Sequence, residues 1–426
     1  MSADLIETSP TTAVPDALSV VRATVDRNFP NLWPAVEAGL STCATLLLAD
    51  NVNPVALIYV GPPSAGKTTV ARMFERAKIN GELLCYRSDK FTPAAFVSQS
   101  AQATEEKLKK VDLLPRIQHK VLLTPEMAIV FRGKQDELIQ RFSMITRILD
   151  GQGLWVDSGT HGRRGYEGDY LFAWIGCTTP FNDAVWKVMA QLGSRLFFLV
   201  MDAVAEPTVD ELASALSQPT TYQASLVQCR EVVHRFLADL FTQHNGVRGV
   251  KWDNEHNPPE VVTGIARCAR LLAVMRTPYE GGKTVQPESP YRANAVLYNL
   301  ARGHALVSGR TQLVQDDMPM IARITLSSIP AERRAVLLAF VNHGGEPLTV
   351  KQVREATGGS RHTAEGLMEE MEWLGIAVYE HPGNGRASVL TLKQEWAWIT
   401  QGEFAALLLE GATWQESGDE CLAATQ

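Results

Sequence analysis

Val55 to Val70 reads VALIYVGPPSAGKTTV. The run Val55–Val60, led in by Pro54, is apolar and rich in β-branched side chains, which predicts a buried strand. Gly61-Pro62-Pro63-Ser64-Ala65-Gly66-Lys67-Thr68 then fills every fixed position of the phosphate-loop pattern G-x-x-x-x-G-K-[ST]. A helical pattern starts at once, with Val70, Met73 and Phe74 on one side. Gly61 and Gly66 let the backbone wrap so that successive N–H groups point at phosphate oxygens, and the helix adds its positive end. Lys67 is placed to reach the β- and γ-phosphates, Thr68 offers its hydroxyl to Mg²⁺, and Thr69 continues the first turn beside them. The expectation is a nucleoside triphosphate, ATP, held with Mg²⁺ on a strand–loop–helix unit.

Working outward, the chain has 426 residues, 45% hydrophobic and 20% charged, which suits two or three domains with ample core. A net charge of −7 argues against a protein that coats nucleic acid with its whole surface, so any such contact is local, in a pore or on a loop. Cys43, Cys85, Cys177, Cys229, Cys268 and Cys421 are scattered without a C-x-x-C pair. That pattern fits reduced thiols in a cytoplasm, with neither a disulfide framework nor a zinc ribbon. The opening MSADLIETSPTTAVP is acidic and polar, unlike a signal peptide, and no apolar run is long enough to cross a bilayer, so no membrane partner is expected.

Residues 1–15 read as a disordered tail, and 16–50 as helices packed beside the nucleotide fold. Leu83–Tyr86 predicts a strand and Thr92-Pro93 a helix start. The charged insert 102–119 predicts a solvated helix face. Lys120–Met127, KVLLTPEM, is the next apolar strand, and Glu126 at its end is the candidate to orient the water that attacks the γ-phosphate. The usual Asp-Glu ending of such a strand is here Pro125-Glu126; Asp157 stands as a second-ranked Mg²⁺-side carboxylate. Asp136–Asp150 predicts an amphipathic helix through Leu138, Phe142, Ile145 and Ile148, ended by Gly151-Gln152-Gly153. Leu154–Val156 and Tyr170–Ile175 then predict the arms of a hairpin with a long polar tip, residues 157–169, that carries His161, Arg163 and Arg164. The second arm runs on to Thr178-Thr179-Pro180, hydroxyls at a strand's carboxyl end, where ligands bind in open α/β sheets. Gly193-Ser194-Arg195 leads into another buried strand, Leu196–Met201.

In that order — phosphate loop, charged insert, acidic strand end, helix, basic hairpin, polar strand end, Ser-Arg-strand — the chain resembles the minichromosome-maintenance (MCM) helicases, within the AAA+ ATPases that carry a hairpin before sensor 1. The resemblance covers about residues 52–326 and is strongest at the phosphate loop. It implies that Lys67 and Thr68 are the Walker A pair, Glu126 the Walker B glutamate, and Thr179 the sensor-1 residue. Ser194-Arg195 resembles the arginine finger that reaches a neighbouring subunit's nucleotide, Arg292 within SPYRANAVLYNLARGHALVSGR the sensor-2 arginine, and Arg163 and Arg164 the pore cations that grip DNA. A homo-oligomeric ring, a hexamer with DNA in its central pore, is the assembly implied. The N-terminal barrel and zinc site of that family have no counterpart here.

The fold class expected is α/β: a phosphate-loop AAA+ core with a parallel sheet (residues 16–205), a small α-helical lid (206–326) and a C-terminal winged helix-turn-helix domain (327–400), then a C-terminal helix and acidic tail (401–426). In the last domain Thr349 and Gln352 predict a capping box. Arg361–Leu374 forms the second helix of the pair, with Glu365, Glu369, Glu370 and Glu372 against Arg361 and His362. That acidity favours a protein partner or a pore-guarding role over reading DNA. Two function classes follow: an ATP-driven DNA-translocating ring motor, or an ATP-dependent switch that recruits a partner through the winged helix. A small-molecule kinase explains neither the arginines nor the last domain.

Overall fold

Alternation along one strand decides the layering. In the computed structural model, β1 (Val55–Val60) is buried at every residue. Val55, Leu57 and Tyr59 belong to one apolar cluster, and Ala56, Ile58 and Val60 to a second on the opposite face. A strand covered on both faces belongs inside a parallel sheet. The structure describes residues 17–98, 105–158, 162–193, 195–201, 208–210, 213, 221–279, 281, 286–381, 387–402 and 404–409.

Before β1 come α1 (Ala17–Asn28) and α2 (Trp33–Ala44), and after it α3 (Lys67–Phe74). The predicted strand at Leu83–Tyr86 divides in two: a small ribbon of β2 (Lys78–Ile79) and β3 (Glu82–Leu83), then β4 (Cys85–Arg87) in the main sheet. The Thr92-Pro93 start yields a single 3₁₀ turn, Pro93–Ala95. The charged insert forms α4 (Glu105–Val111) and α5 (Leu113–Ile117), exposed at Lys107, Lys109 and Lys110 but with Leu113, Leu114 and Ile117 buried. It therefore has an inner face as well as a solvated one.

Next come β5 (Val121–Thr124), α6 (Gln135–Ile148), β6 (Gly153–Ser158), β7 (Gly162–Glu167), β8 (Ala173–Thr178), α7 (Asp183–Leu192) and β9 (Leu196–Val200). The main sheet has five parallel strands in the order β4-β5-β8-β1-β9. The strand that feeds the glycine loop thus lies between the last two strands of the sheet in chain order. α6 buries Leu138, Phe142, Ile145 and Ile148, as its periodicity predicts.

The hairpin departs from expectation. Its return arm is β7, GRRGYE, paired antiparallel with β6, whereas the apolar run after Tyr170 is β8, a central strand of the main sheet. A glycine- and arginine-rich segment scores poorly as a strand by propensity. Here backbone proximity decides: a Cβ on Gly165 would lie 2.1 Å from the Leu154 carbonyl oxygen.

Among the described residues there follow α8 (Thr221–Gln243), α9 (Pro259–Met275), α10 (Tyr291–Val307) and the shorter α11 (Met318–Ser327). α10 lies against α2 so closely that a Cβ on Gly303 would sit 2.2 Å from the Ser41 carbonyl oxygen. α2 is tied in turn to the sheet, where the Tyr59 hydroxyl donates to the Ala35 carbonyl at 2.7 Å. The contact between α10 and the segment before β1 also carries buried polar groups: Arg302 pairs with Asp50 at 2.8 Å, and Asn299 donates to Asn51 at 2.8 Å.

The C-terminal part is α12 (Ala331–Asn342), β10 (Leu348–Thr349), α13 (Val350–Thr357), α14 (Arg361–Trp373), β11 (Ala377–Glu380) and β12 (Val389–Leu392), with an antiparallel sheet ordered β10-β12-β11. Thr349 and Gln352 form the expected capping box, and Ser360 caps α14. Its core residues, among them Val336, Leu337, Met371 and Leu390, continue the same apolar cluster as α9, α10 and one face of the main sheet. No helix among the described residues is long and apolar enough to cross a membrane.

Candidate nucleotide site and arginine cluster

The glycine loop starts where β1 ends. Gly61 N–H donates to the Thr178 carbonyl at 3.3 Å, and a Cβ at Gly61 would lie 2.3 Å from the Met201 carbonyl oxygen. Ser64 and Gly66 adopt left-handed φ values of 69° and 79°. Pro62 is half-buried, Pro63 and Ser64 are exposed, and Ala65 is buried. A Cβ on Gly66 would be driven to 2.6 Å from Leu32 Cδ2, so the residues before α2 wall the loop from behind. α3 then begins at Lys67, with Thr68 exposed and Thr69 half-buried. Thr69 Oγ1 lies 3.1 Å from the Tyr222 hydroxyl of α8.

Lys67 is 8% exposed, and its ammonium donates to the carbonyls of Gly61, at 2.7 Å, and Pro62. Burial lowers its pKa, while Cys177 and Glu126 pull the other way. Glu126 is exposed just beyond β5 and accepts from Ala128 N–H at 3.1 Å. Thr178 is buried and donates to the Thr179 carbonyl at 3.0 Å; Thr179 is half-buried at the lip. The carboxyl ends of β1, β8 and β5 therefore bring Gly61–Thr68, Thr178-Thr179 and Glu126 to one crevice, as the order of strands requires. Cys177, which sequence reading left aside, lies in the same place: its thiol reaches the Lys67 carbonyl at 3.4 Å, and burial pushes it up to about 12. It is an inert packing thiol beneath the loop.

This loop fits a triphosphate. Its close-packed glycines leave no room for side chains, and a lysine stands at the first turn of a helix. Lys67, Gly61–Gly66 and Thr69 would hold the phosphates, and the exposed hydroxyl of Thr68, with Glu126 nearby, would face Mg²⁺. Among the described residues no three His, Cys, Asp or Glu side chains gather into a metal cluster. Mg²⁺ in such sites takes few protein oxygens and relies on phosphate and water.

A second polar centre stands at the other end of the sheet. Arg195 precedes β9, whose Leu196 lies beside Ala56 near the entry of β1, while Val200 lies beside Val60 at the exit. A strand of this length advances by about 3.3 Å per residue, so Arg195 is separated from the loop by roughly 20 Å. Arg195 Nε donates to Asp150 Oδ1 at 3.0 Å, and its Nη1 to the Leu192 and Gly193 carbonyls. Arg292, in the first turn of α10, reaches the same Asp150 Oδ1 at 2.7 Å. Arg147 approaches the other oxygen at 3.6 Å. The side chains of Arg195, Asp150 and Arg292 are 17%, 18% and 28% exposed. Sequence reading missed Asp150, since nothing in a helix-ending Asp-Gly signals tertiary partners. Ser194 lies outside the described residues.

On the ribbon, side chains of Arg163 and Arg164 point to opposite faces, because adjacent residues of a strand do so. Arg163 is exposed opposite Asp157, with its guanidinium 4.4 Å from the Trp155 ring centroid. Arg164 is half-buried on the face where Leu154 and Tyr166 join the core, and the Tyr166 hydroxyl donates to buried Asp112 at 2.7 Å. The two arginines thus leave the predicted loop tip for a paired strand and do not share one surface. His161 lies outside the described residues. Asp157 belongs to this ribbon, opposite Arg163.

In the C-terminal part, the acidic helix uses much of its charge internally. Glu370 pairs with Arg333, which also donates to the Met275 and Thr277 carbonyls of α9 and its end. Glu372 accepts from Tyr379 N–H at 3.1 Å, and Glu365 pairs with Arg361 at 2.9 Å. Glu369, Arg361 and His362 are exposed.

Comparison with protein-family models and with curated proteins finds no match for this chain.

Proposed function

We propose that this chain is an ATP-hydrolysing AAA+ motor that works as a homo-oligomeric ring, hexameric in the MCM manner, and moves DNA through a central pore. Bound ATP would supply a γ-phosphoryl group whose transfer to water is eased by spreading its negative charge. Lys67 and the loop would hold the phosphates, Thr68 the Mg²⁺, and Glu126 the attacking water, with Thr179 beside it. The observation that carries the reading is the location of Arg195 and Arg292: half-buried cations at the sheet end opposite Lys67, beyond reach of their own chain's loop. Guanidinium groups so placed serve a neighbour. Arg163 on the exposed ribbon face is the DNA-contact cation, and the C-terminal part is a winged helix. The test is ATP turnover together with particle mass in the presence of a slowly hydrolysed ATP analogue and Mg²⁺. The expected result is an ATP-dependent ring and loss of turnover in Lys67→Ala and Arg195→Ala; a chain that stays monomeric, or an Arg195→Ala variant at full rate, overturns it.

A second reading is an ATP-dependent switch without unwinding activity, which recruits a protein partner. It is favoured by Pro125 in place of the strand-end Asp and by the clamping of α14 onto α9 through Arg333. A strand-displacement assay separates the two: unwinding by the purified chain selects the motor, and assembly without unwinding the switch.

A further inference from the structure

We infer that Asp150 is a positioning residue that binds Arg195 and Arg292 into one unit, so that both cations are presented together to the nucleotide of an adjacent subunit. The inference rests on the ring reading above. Both guanidiniums use the same carboxylate oxygen, at 3.0 and 2.7 Å, although they come from the start of β9 and the start of α10. Asp150 itself comes from a third element, just past the end of α6. Two cations held this close repel each other, and burial together with Arg195 lowers the pKa of Arg292. Asp150 is the anion that both share; the Leu192 and Gly193 carbonyls also hold Arg195, and Glu288 adds negative charge near Arg292.

The mount is rigid. Gly151 adopts φ 73°, and a Cβ there would lie 2.6 Å from the Val52 carbonyl oxygen. The Gly151 carbonyl also accepts from Tyr170 N–H at 2.8 Å. Gly193, at φ 74°, leaves room for Arg195 Nη1 and Glu288, each 3.1 Å from where its Cβ would stand. Asp150 is also followed within three residues by β6. The arginine pair and the root of the ribbon therefore share one short segment.

The experiment measures ATP turnover of the full chain carrying Asp150→Asn, which keeps the side-chain volume, and Asp150→Ala. The expected result is a fall in kcat of about tenfold or more with KM within about twofold, since each variant's own glycine loop is intact. Equal mixing of Asp150→Ala with Lys67→Ala subunits is expected to give more turnover than either alone. The reason is that an intact loop on the first then meets an intact arginine pair on the second. Wild-type kcat in both Asp150 variants, a loss confined to KM, or no gain on mixing overturns the inference and leaves the carboxylate a fold-holding ion pair. A wild-type chain without ATPase activity removes the functional reading first, which keeps the two failures distinguishable.

Discussion

His304 Nδ1 lies 2.6 Å from Asp317 Oδ1, with both residues buried where α10 meets the start of α11. Arg310 reaches the same carboxylate at 2.7 Å, and Glu37 of α2 approaches the other imidazole nitrogen at 3.6 Å. Burial alone would discharge the imidazole, but the hydrogen bonds to Asp317 and Glu37 win and raise it to about 9. The carboxyl of Asp317 is penalised by burial as well, and its bonds to His304, Arg310 and Val314 N–H hold it below the usual range.

A pH profile follows. The histidine's pKa is raised on folding, so its contribution is complete below about 6.5 and is lost as pH rises through about 9. The aspartate's is depressed, so its contribution is present above the ordinary carboxylate range and is lost on acidification. Stability should peak between these limits and decline above neutrality. Asp317→Asn leaves a buried imidazolium without its counter-charge and is expected to cost about 3–5 kcal/mol at neutral pH. Denaturant midpoints across the alkaline range check both; a flat profile in the wild type contradicts the arrangement.

Gly61→Ala should abolish nucleotide binding. Its Cβ would collide with the Met201 backbone, so the loop must leave β9. Gly66→Ala also meets Leu32 and requires a left-handed alanine, costing about 1–2 kcal/mol in backbone alone. A fluorescent ATP analogue reads binding, and retention of full affinity in Gly61→Ala would contradict the packing.

The two ribbon arginines should behave differently. Arg163→Ala is expected to weaken DNA binding at low salt and to reduce the salt slope by about one, with little change in stability. Arg164→Ala should instead lower the melting temperature, because its side chain lies on the inner face with Leu154 and Tyr166. Equal DNA effects from both would mean that they share a surface after all.

Glu370→Ala strips the carboxylate from Arg333, whose side chain is 8% exposed, and should cost about 3–5 kcal/mol. Because Arg333 also holds the end of α9, the C-terminal part should become more open to limited proteolysis. Unchanged cleavage would show that the apolar contacts alone suffice.

What the chain declares in advance is local. The run before Gly61, the turn at Gly61–Thr68, the stripe Leu138–Ile148 and the pair Thr349/Gln352 each encode their element within a few residues, and each forms where expected. What it conceals depends on partners far away. GRRGYE pairs as a strand where Gly153 and Gly165 let the two backbones close on each other. Asp150 looks like a helix end until β9 and α10 bring two arginines to it. Acidic α14 looks repulsive to anions until Glu370 and Glu372 turn out to be engaged within the fold.

Gly303 against the Ser41 carbonyl has a mechanical side. With no side chain between them, α10 and α2 cannot slide or part without exposing bare main chain, and α2 is itself bolted to β1 through Tyr59. That close approach resists separation of α10 from α2 at this joint. On the proposed motor reading, a stroke fuelled at Lys67 would turn helices and sheet together, and the give would come from the seams between one chain and the next.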